Sequence, residues 1–377
     1  MRVAIVTESY LPDANGVSHS VQRVVEYLNR QGHQPMVVAP EPAAEAGSYA
    51  HDDQCEVVRV PSVPMPGYPS FRIGLPSRRL ENALIAHRAD VVHLASPFAL
   101  GAHGAFVAER LGLPSVAIYQ TDVAGFAGFY RLGVGRAAAW RWLRRVHCAA
   151  GRTLAPSRPA VQDLQNHGVP RVHLWPRGVD GDRFSPEHRS QALRRELAPG
   201  GELLVGYVGR LAAEKHLELL EPVTLLPGVR VVIVGDGPAR KALEHRMPQA
   251  TFRGELRGAD LSAAYASLDL FVHTGANETF CQSVQEALAA GVPAVAPAAG
   301  GPLDLVKDGQ TGLLVRPDDP AELVTAVSAL VADRTRLARF AAGTRASVLH
   351  RTWSSVNAAL VQHYLAVRHA GPEVRAA

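Results

Sequence analysis

Two acidic side chains that could bind a ligand, Glu278 and Glu286, lie eight residues apart. Glu278 stands in a polar stretch after the apolar, strand-like run 268–273, and Glu286 lies in an apolar-periodic helix predicted to begin near Gln282. The first N–H groups of such a helix have no intrahelical partners and point at whatever occupies the preceding loop. An anion site flanked by two acids suits a phosphorylated sugar, which offers a negative charge and neutral hydroxyl groups. Taken alone, most glutamates at such positions only favour the helix dipole or face water.

Two cations, Arg210 and Lys215, follow the predicted strand 203–208 and are five residues apart. The planar guanidinium and the compact ammonium could clamp a diphosphate across this loop. For these two residues alone, a solvated loop whose charges serve solubility is an equal alternative.

Two further segments of the second half, 234–238 and 252–256, complete a set of four. The first is a strand-to-helix turn whose glycines we expect to be structural, with Pro238 at the first helical position. The second could line a flat base through its backbone groups. All four segments fall after strands of one predicted sheet, and open α/β sheets bind ligands at the carboxyl ends of their strands. We therefore expect them to form one site.

The alternation of short apolar runs with helix-length segments predicts an α/β protein with parallel sheets covered on both faces. At 377 residues the chain exceeds what one hydrophobic core usually serves. Because 175–201 is irregular and polar, we predict domains at 1–178 and 179–352, with the C-terminal helix 353–377 packing back against the first. Two sheets of similar size would face each other across a cleft. The predicted strands are 3–6, 35–39, 57–60, 91–94, 115–119, 153–155, 203–208, 231–234, 268–273, 292–296 and 312–315.

The first half opens with a strand, a loop containing Gly16 and a helix that Gly32 is predicted to end. It lacks Gly-x-Gly-x-x-Gly, so the dinucleotide fingerprint is absent. The proline-rich stretch 61–69 is predicted to be an irregular loop, serving either as an acceptor wall or as a surface connection. The polar cluster Gln120-Thr121-Asp122 follows the strand 115–119, at a carboxyl end where ligands bind.

The net charge of +4 is too weak to indicate nucleic-acid binding, and no repeat of aromatic and basic residues supports it. The charge fits an anionic small ligand or brief contact with an anionic membrane. The basic helix 136–147 carries Trp140 and Trp142. It could contact a membrane surface, or it could be a core helix with solvated arginines.

The three cysteines are far apart in sequence, so neither a disulfide framework nor a zinc site is predicted, and a reducing compartment is expected. The N-terminus is typical of a first strand rather than a signal peptide, and no run reaches the ~18 apolar residues that a spanning helix requires. We therefore expect a cytoplasmic protein that is at most peripheral on the inner face of the membrane.

Six motifs resemble the retaining glycosyltransferases of family 4, which have the two-Rossmann-domain architecture called GT-B. The resemblance extends over nearly the whole chain and is strongest to actinobacterial GDP-mannose-dependent α-mannosyltransferases that act on glycolipids. The motifs are Asn-Gly-Val-Ser at 15–18, His-Leu-Ala-Ser-Pro at 93–97, Tyr-Gln-Thr-Asp at 119–122, Gly-Arg-Leu-x-x-Glu-Lys at 209–215, Val-Gly-Asp-Gly at 234–237 and Glu-Thr-Phe-Cys-x4-Glu-Ala-Leu-Ala-x-Gly at 278–291.

The resemblance implies that Arg210 and Lys215 hold the donor diphosphate and steady the leaving group. Glu278 would bind hydroxyl groups of the transferred sugar, and Glu286 would hold the nucleotide ribose. Gly16 would approach the phosphates from the first domain. Backbone N–H groups at Phe280 and Cys281 would assist Glu278, and the backbone of 253–256 would contact the base. The remaining donor-binding positions implied are Asn15, Asp236, Arg253, Gly254, Leu256, Thr279 and Gln282.

The chain departs from the family pattern at Gln120, a predicted catalytic position where relatives usually carry histidine. Glutamine can donate and accept hydrogen bonds but cannot take a proton near neutral pH. Glutamine at this position argues against a mechanism with a histidine base. It is compatible with a transfer in which the leaving phosphate takes the proton of the acceptor hydroxyl group. Asp180-Gly181-Asp182 spells the Asp-x-Asp metal motif of another glycosyltransferase fold, but we interpret it as interdomain linker.

The resemblance thus implies a retaining, metal-independent transfer of mannose from GDP-mannose to a hydroxyl group of a glycolipid, with no cofactor beyond the nucleotide sugar. Three alternatives stay open. The same fold could use UDP-glucose, UDP-N-acetylglucosamine or a deoxysugar donor with a soluble natural-product acceptor. The chain could instead be a sugar-nucleotide epimerase or a non-catalytic nucleotide-sugar-binding module. The sequence leaves the acceptor, the linkage position and the oligomeric state open.

Overall fold

A computed structural model describes residues 1–13, 15–42, 54–65, 68–120 and 135–370. The chain divides into two compact units, unit 1 with Met1–Pro176 and Ser354–Ala377, and unit 2 with Arg177–Trp353. The sequence prediction placed the boundaries after residues 178 and 352.

Unit 1 is built on a seven-stranded sheet in the order β3-β2-β1-β6-β7-β8-β9, in which every neighbouring pair is parallel. Alternate residues of β1 feed different cores, Val3 and Ile5 on one face and Ala4 and Val6 on the other. This is the pattern of a parallel sheet covered on both sides. The strands of unit 1 are β1 Arg2–Val6, β2 Gln34–Pro40, β3 Glu56–Val60, β4 Ser62–Met65, β5 Tyr68–Gly74, β6 Val91–Leu94, β7 Ser115–Ile118, β8 Arg152–Ala155 and β9 Val172–Leu174.

The helices of this unit follow from local signals. Asn15 caps the first helix, because its Oδ1 accepts hydrogen bonds of 3.0 Å from the backbone N–H groups of Val17 and Ser18. The predicted stop is confirmed by Gly32, which follows the helix with a φ of 71°. The helices of unit 1, apart from the C-terminal one, are α1 Gly16–Arg30, α2 Arg78–Ala86, α3 Leu100–Arg110, α4 Arg136–Ala149 and α5 Arg158–Asn166.

The prediction that 61–69 forms no regular structure is wrong. β4 and β5 pair antiparallel, with Ser62 opposite Gly74 and Pro64 opposite Arg72. A two-stranded ribbon has two edges, so a proline there need not donate a ladder hydrogen bond. Pro66 and Gly67 lie outside the described residues.

Helix α4 buries a stripe that includes Ala139, Leu143 and Val146. Its two tryptophans differ. Trp140 is buried and stacks on the ring of His167 with centroids 3.6 Å apart, whereas Trp142 is 43% exposed. Among the residues that the structure describes, no helix has the length and apolar character needed to cross a bilayer.

Unit 2 is built on a six-stranded parallel sheet in the order β12-β11-β10-β13-β14-β15. Alternate residues of β10 again pack into two cores, with Val205 and Tyr207 on one face and Leu204 and Val208 on the other. Its strands are β10 Leu203–Val208, β11 Val229–Val234, β12 Thr251–Gly254, β13 Leu270–Val272, β14 Ala294–Pro297 and β15 Gly312–Val315. Its helices are α6 Gln191–Leu197, α7 Arg240–Arg246, α8 Gly258–Ser267, α9 Gln282–Ala289, α10 Pro302–Leu305, α11 Pro320–Ala332 and α12 Arg334–Val348.

The sequence did not predict β9 and β12, and both lie at the edges of their sheets. Their residues are mostly half-buried, so neither strand carries the continuous apolar run that marks a central parallel strand.

The C-terminal helix, α13 Trp353–His369, packs on the sheet of unit 1 through buried polar contacts. Nε1 of Trp175 donates a hydrogen bond of 2.9 Å to the carbonyl of Val356. Nδ1 of His93 and the hydroxyl of Tyr364 are 2.6 Å apart. Burial lowers the pKa of His93 to about 3, so this ring is neutral at physiological pH.

Candidate active site

The four segments predicted to form a site lie at the carboxyl ends of four neighbouring strands, β12, β11, β10 and β13, although 252–256 was expected to follow a strand and instead includes most of β12. Parallel strands present these ends at one edge of the sheet, where open α/β folds bind ligands. The structure therefore places the residues of 209–215, 234–238, 252–256 and 278–286 along a single edge of unit 2.

Lys215 and Glu278 form an ion pair at this edge. Nζ of Lys215 donates a hydrogen bond of 2.6 Å to Oε1 of Glu278, and the two side chains are 21% and 18% exposed. Lys215 ends a short 3-10 helix, Ala213–Lys215, whose position is fixed because the hydroxyl of Thr274 donates to the Lys215 carbonyl at 2.6 Å. The cationic loop and the acidic loop are thus tied together by side chain and backbone.

Both members of the pair are charged. Burial by itself would raise the pKa of Glu278, but Lys215 and His273 together lower it to about 2. Burial would likewise lower the pKa of Lys215, and the Glu278 carboxylate more than offsets this and raises it. A carboxylate that stays ionised across the physiological range can accept hydrogen bonds only, which suits sugar hydroxyl groups.

Arg210 has a carboxylate partner from its own loop, because its guanidinium forms an ion pair with Glu214. The Tyr207 hydroxyl donates to the Arg210 carbonyl at 3.2 Å. The two predicted cations therefore stand on one loop, each balanced by one glutamate. Glu214 was visible in the sequence motif, but its pairing with Arg210 was not predicted.

Glu286 lies on α9, where Tyr265 of α8 donates a hydrogen bond of 2.9 Å to its Oε2. Burial raises the pKa of Glu286 from 4.5 to about 7, against the opposing effects of the Tyr265 hydrogen bond and of Arg183. The nearby Arg177 is buried, which lowers its pKa to about 10, while Glu286 acts to raise it. Tyr265, Arg177 and Arg183 were missed by the sequence analysis, because nothing local marks them as neighbours of Glu286.

Helix α9 begins at Gln282, as predicted, and Cys281 precedes it with a φ of 77°. A left-handed conformation is uncommon for a residue with a side chain. Phe280 and Cys281 are buried, Thr279 lies in the bend between them and Glu278, and Nε2 of Gln282 donates to the Gly178 carbonyl at 3.1 Å.

His273 is the principal residue that the sequence analysis missed. It directly follows β13, is 3% exposed, and places Nε2 3.2 Å from Oε1 of Glu278. The available signal was its position as the last residue of a predicted strand, five residues before Glu278.

His273, Glu278 and Cys281 are also a group that could hold a metal ion, since one ligand atom from each lies within 4.8 Å of the others. The amine of Lys215 already lies at the Glu278 oxygen, however, and a metal ion there would compete with it. Asp180 of the Asp-x-Asp stretch accepts a hydrogen bond of 3.0 Å from the N–H of Arg183 within its own turn.

The glycines of 234–238 are structural, as expected. A Cβ on Gly235 would lie 1.9 Å from the carbonyl oxygen of Gly209, so the two turns approach more closely than a side chain allows. The N–H of Gly235 also donates to the Gly254 carbonyl at 2.7 Å. Asp236 is engaged locally, accepting from the N–H of Gly237 at 2.7 Å and pairing with Arg240 at 2.9 Å.

A cavity of about 290 Å³ opens beside the predicted base-contacting segment. Arg253 lines it and forms an ion pair with Glu196, and Leu256 packs beside it on the core of unit 2. The lining also includes Tyr207, Val232, Val234 and Asp260.

The predicted site residues of unit 1 lie at its own carboxyl edge. Nε2 of Gln120 donates a hydrogen bond of 2.7 Å to the Ala95 carbonyl. Asn15 caps α1, and Gly16 is the exposed first residue of that helix. Thr121 and Asp122, which completed the predicted polar cluster, lie outside the described residues.

Glu8, two residues beyond the end of β1, is a further buried acid that the sequence analysis did not single out. Its Oε1 accepts hydrogen bonds from the N–H groups of Ala99 at 2.7 Å and Gly101 at 3.0 Å, at the start of α3. Burial raises the pKa of Glu8 from 4.5 to about 7, although these hydrogen bonds act to lower it.

The chain is similar to known proteins over nearly its whole length. The model of "Glycosyltransferase Family 4" matches residues 14–183, and that of "Glycosyl transferases group 1" matches residues 202–333. The chain is 50% identical over 369 residues to the "GDP-mannose-dependent alpha-mannosyltransferase" of Mycolicibacterium smegmatis, covering 97% of this chain and 98% of that one. The protein of the same description from Mycobacterium tuberculosis is 49% identical, with coverage of 98% and 97%. The crystal structure of Anabaena HepE in complex with UDP has a similar fold, with a TM-score of 0.78 at 20% identity over 97% of this chain and 100% of that one.

Proposed function

Because this chain belongs to glycosyltransferase family 4, with two Rossmann-like domains of the GT-B type, we propose that it transfers mannose from GDP-mannose to a hydroxyl group of a glycolipid. We propose further that the transfer retains the anomeric configuration and needs no metal ion. The names of the relatives that are about half identical over nearly the whole chain support the donor. The observation that carries the proposal is the ion pair of Lys215 and Glu278 at the carboxyl edge of unit 2.

The chemistry requires a diphosphate to leave carrying negative charge, and fixed positive charge at that point lowers the barrier. Lys215 and Arg210 supply it from one loop, and each is already partly desolvated and held by a carboxylate. When the donor binds, the phosphates take hydrogen bonds from these two side chains and from the first N–H groups of α9. In this way the residues of the chain do the work that a divalent cation does in other transferases.

The two glutamates take different parts of the donor. Glu278 is ionised and accepts hydrogen bonds from hydroxyl groups of the transferred mannose. Glu286 accepts hydrogen bonds from the ribose hydroxyl groups, with the Tyr265 hydroxyl holding the carboxylate in place. The backbone of 253–256, beside the cavity of unit 2, contacts the guanine base.

The proton of the acceptor hydroxyl goes to the leaving phosphate. Gln120 stands where a histidine is usual, and an amide cannot accept that proton near neutral pH. Its side chain is instead anchored to the Ala95 carbonyl, and we assign to it a hydrogen bond to the donor sugar. A phosphate oxygen released on the same face of the sugar that the acceptor attacks is suited to take the proton.

The lipid acceptor calls for contact with a membrane, and helix α4 offers a suitable surface. Trp142 is exposed between Arg141, Arg144 and Arg145, which are also exposed. Basic residues with an exposed tryptophan on one helix are typical of attachment to anionic lipid surfaces. Co-sedimentation with anionic liposomes at low and high salt tests this part, and Trp142→Ala is expected to weaken the binding. Recovery of the same fraction of protein with anionic and with neutral liposomes would contradict the proposed attachment to anionic lipid.

A donor panel tests the central proposal. The purified protein is incubated with GDP-mannose, UDP-glucose and UDP-N-acetylglucosamine together with a glycolipid extract, and products are identified by mass spectrometry. We expect a hexose added from GDP-mannose alone, and an α linkage by NMR. Preference for a UDP sugar would refute the mannose assignment, and conversion of the donor without an acceptor would indicate an epimerase. Full turnover by Lys215→Ala and Glu278→Ala would refute the site.

A further inference from the structure

The imidazole of His273 is enclosed beside the ion pair of Lys215 and Glu278. Its backbone N–H donates to the Val295 carbonyl at 2.9 Å, and its ring stacks on Tyr207 with centroids 6.0 Å apart and planes inclined by 16°. Its Nε2 is 3.2 Å from Oε1 of Glu278. The backbone anchor and the stacked ring hold the imidazole in one orientation toward this carboxylate.

The contact between Nε2 of His273 and Oε1 of Glu278 is an ion pair when the ring is protonated. Burial opposes a positive ring, but Cys281 and Glu278 outweigh burial and raise the pKa of His273 to about 10. The ring is therefore a cation at physiological pH.

Cys281 is the third residue of this cluster, beside His273 and Glu278. Its Sγ is within 4.8 Å of the ligand atoms of His273 and Glu278, and its side chain is 4% exposed. The residue adopts a φ of 77°, a conformation that glycine would adopt at a lower energy. The strained backbone of Cys281 therefore stands where its thiol lies near the His273 ring.

We propose that His273 is a positioning residue for Glu278: with Lys215 it places a second fixed cation at the carboxylate, so that Glu278 is aimed at the hydroxyl groups of the transferred sugar. This inference rests on the proposed function, because it takes Glu278 as the sugar-binding group. Lys215 is expected to turn partly toward the phosphates when the donor binds, and His273 then keeps Glu278 charged and in place. His273 itself contacts neither the sugar nor the phosphates.

The proposal predicts that replacing His273 changes the affinity for GDP-mannose but not the affinity for GDP. GDP lacks the sugar that Glu278 binds, whereas GDP-mannose carries it. Replacing His273 by glutamine keeps a hydrogen-bond donor near Oε1 but removes the charge and the stacked ring. We expect His273→Gln to raise the Kd of GDP-mannose about 10- to 100-fold while leaving the Kd of GDP within about twofold. Isothermal titration calorimetry measures both constants on the same preparations.

Two further variants sharpen this measurement. In a Glu278→Gln background, adding His273→Gln should change the affinity for GDP-mannose by less than about twofold, because the group through which His273 acts is already neutral. His147→Gln is the matched control. It replaces another buried histidine, in unit 1, where Nδ1 lies 3.0 Å from the Thr153 hydroxyl, and it should leave the ratio of the two Kd values unchanged.

Several outcomes would overturn the proposal. Equal weakening of GDP and GDP-mannose by His273→Gln would show that the residue only supports the fold, and no change would show that it has no role. Stoichiometric zinc in the purified protein, lost in both His273→Gln and Cys281→Ser, would make His273 a metal ligand instead. If wild-type protein binds GDP but not GDP-mannose, the proposed function fails first, which is distinct from a wild type that binds both.

A measurement on the wild-type chain keeps the proposal testable if His273→Gln does not fold. The ring ¹⁵N shifts of His273, assigned by comparison with a second variant, His273→Asn, report its protonation. We expect a doubly protonated ring at about pH 8, where an ordinary histidine is neutral. A neutral ring at that pH would contradict the second fixed cation.

Discussion

Lys215 and Glu278 are 63 positions apart in the chain, and the amine of one lies 2.6 Å from a carboxylate oxygen of the other. The pair joins the loop after β10 to the loop after β13, which are neighbouring strands of one sheet. Because the partners balance each other in a largely buried setting, removing either leaves the other with its main opposite charge lost. Activity and stability at this edge should therefore respond together.

Lys215→Ala tests this relationship. The variant removes one of the two positive charges beside the leaving diphosphate and leaves Glu278 with His273 as its remaining cationic neighbour. We expect kcat/KM for mannosyl transfer to fall about 10²- to 10³-fold, and the free energy of unfolding to fall by about 1–3 kcal/mol, since the pair is partly exposed. Steady-state kinetics and urea unfolding measure the two effects. Lys241→Ala, which removes an exposed lysine of α7, should change neither.

Glu286 should make donor binding depend on pH near neutrality. Its pKa is raised by burial to about 7, so the carboxylate loses its proton as pH rises through that value. An ionised carboxylate accepts ribose hydrogen bonds better than a protonated one, so the Kd of GDP-mannose should fall as pH rises from about 6 to about 8. GDP-mannose is a better ligand than GDP for this measurement, because its diphosphate is esterified at both ends and its own charge therefore does not change in this pH range. In Glu286→Gln the pH dependence should disappear, and a dependence that persists would assign it elsewhere.

Glu8 should make the stability of unit 1 fall as pH rises. Its folded pKa, about 7, lies above the ordinary value of 4.5, so the folded state binds the proton more tightly than the unfolded state. The associated stability is present below about pH 4.5 and is lost as pH rises through 7. Glu8→Gln cannot lose a proton. Its free energy of unfolding relative to wild type should therefore rise by about 2–3 kcal/mol from pH 4.5 to pH 8.

Chemical unfolding at several pH values measures this difference, and the matched control is Glu109→Gln. Glu109 is an exposed residue near the end of α3, and its replacement makes the same change of charge. The control should track wild type at every pH. A Glu8→Gln difference that is constant with pH would mean that the Glu8 carboxyl does not titrate differently in the folded protein.

The contact of His93 with Tyr364 should anchor the C-terminal helix. Tyr364→Phe keeps the ring but leaves a buried imidazole nitrogen of His93 without its partner at 2.6 Å. We expect the free energy of unfolding to fall by about 1–3 kcal/mol. Tyr27→Phe, at a half-buried position of α1, should cost less than about 0.5 kcal/mol. Equal losses in the two variants would argue against a special role for this hydrogen bond. Calorimetric binding of GDP should be unaffected in both, since the contact lies within unit 1.

Sequence patterns predicted the central strands of both sheets because their signals are local. A strand such as β10 is a continuous apolar run, and a helix such as α9 shows its period and its start at Gln282 within a few residues. The patterns failed for strands that form because they pair with a neighbouring strand and not because their own sequence is hydrophobic. β9 and β12 are half-buried edge strands, and the β4–β5 ribbon exists because two proline-containing segments pair with each other.

The sequence by itself determined the two-unit α/β organisation and the set of Arg210, Lys215, Glu278 and Glu286, because periodicity, turn glycines and motif spacing are properties of the chain in order. Only the tertiary structure decided the protonation states of these side chains. Glu278 is ionised because Lys215 and His273 surround it, whereas burial raises the pKa of Glu286 even though Tyr265 donates to it. The reason is physical: protonation depends on burial and on the charges within a few ångströms, and neighbouring strands supply those charges from distant parts of the chain.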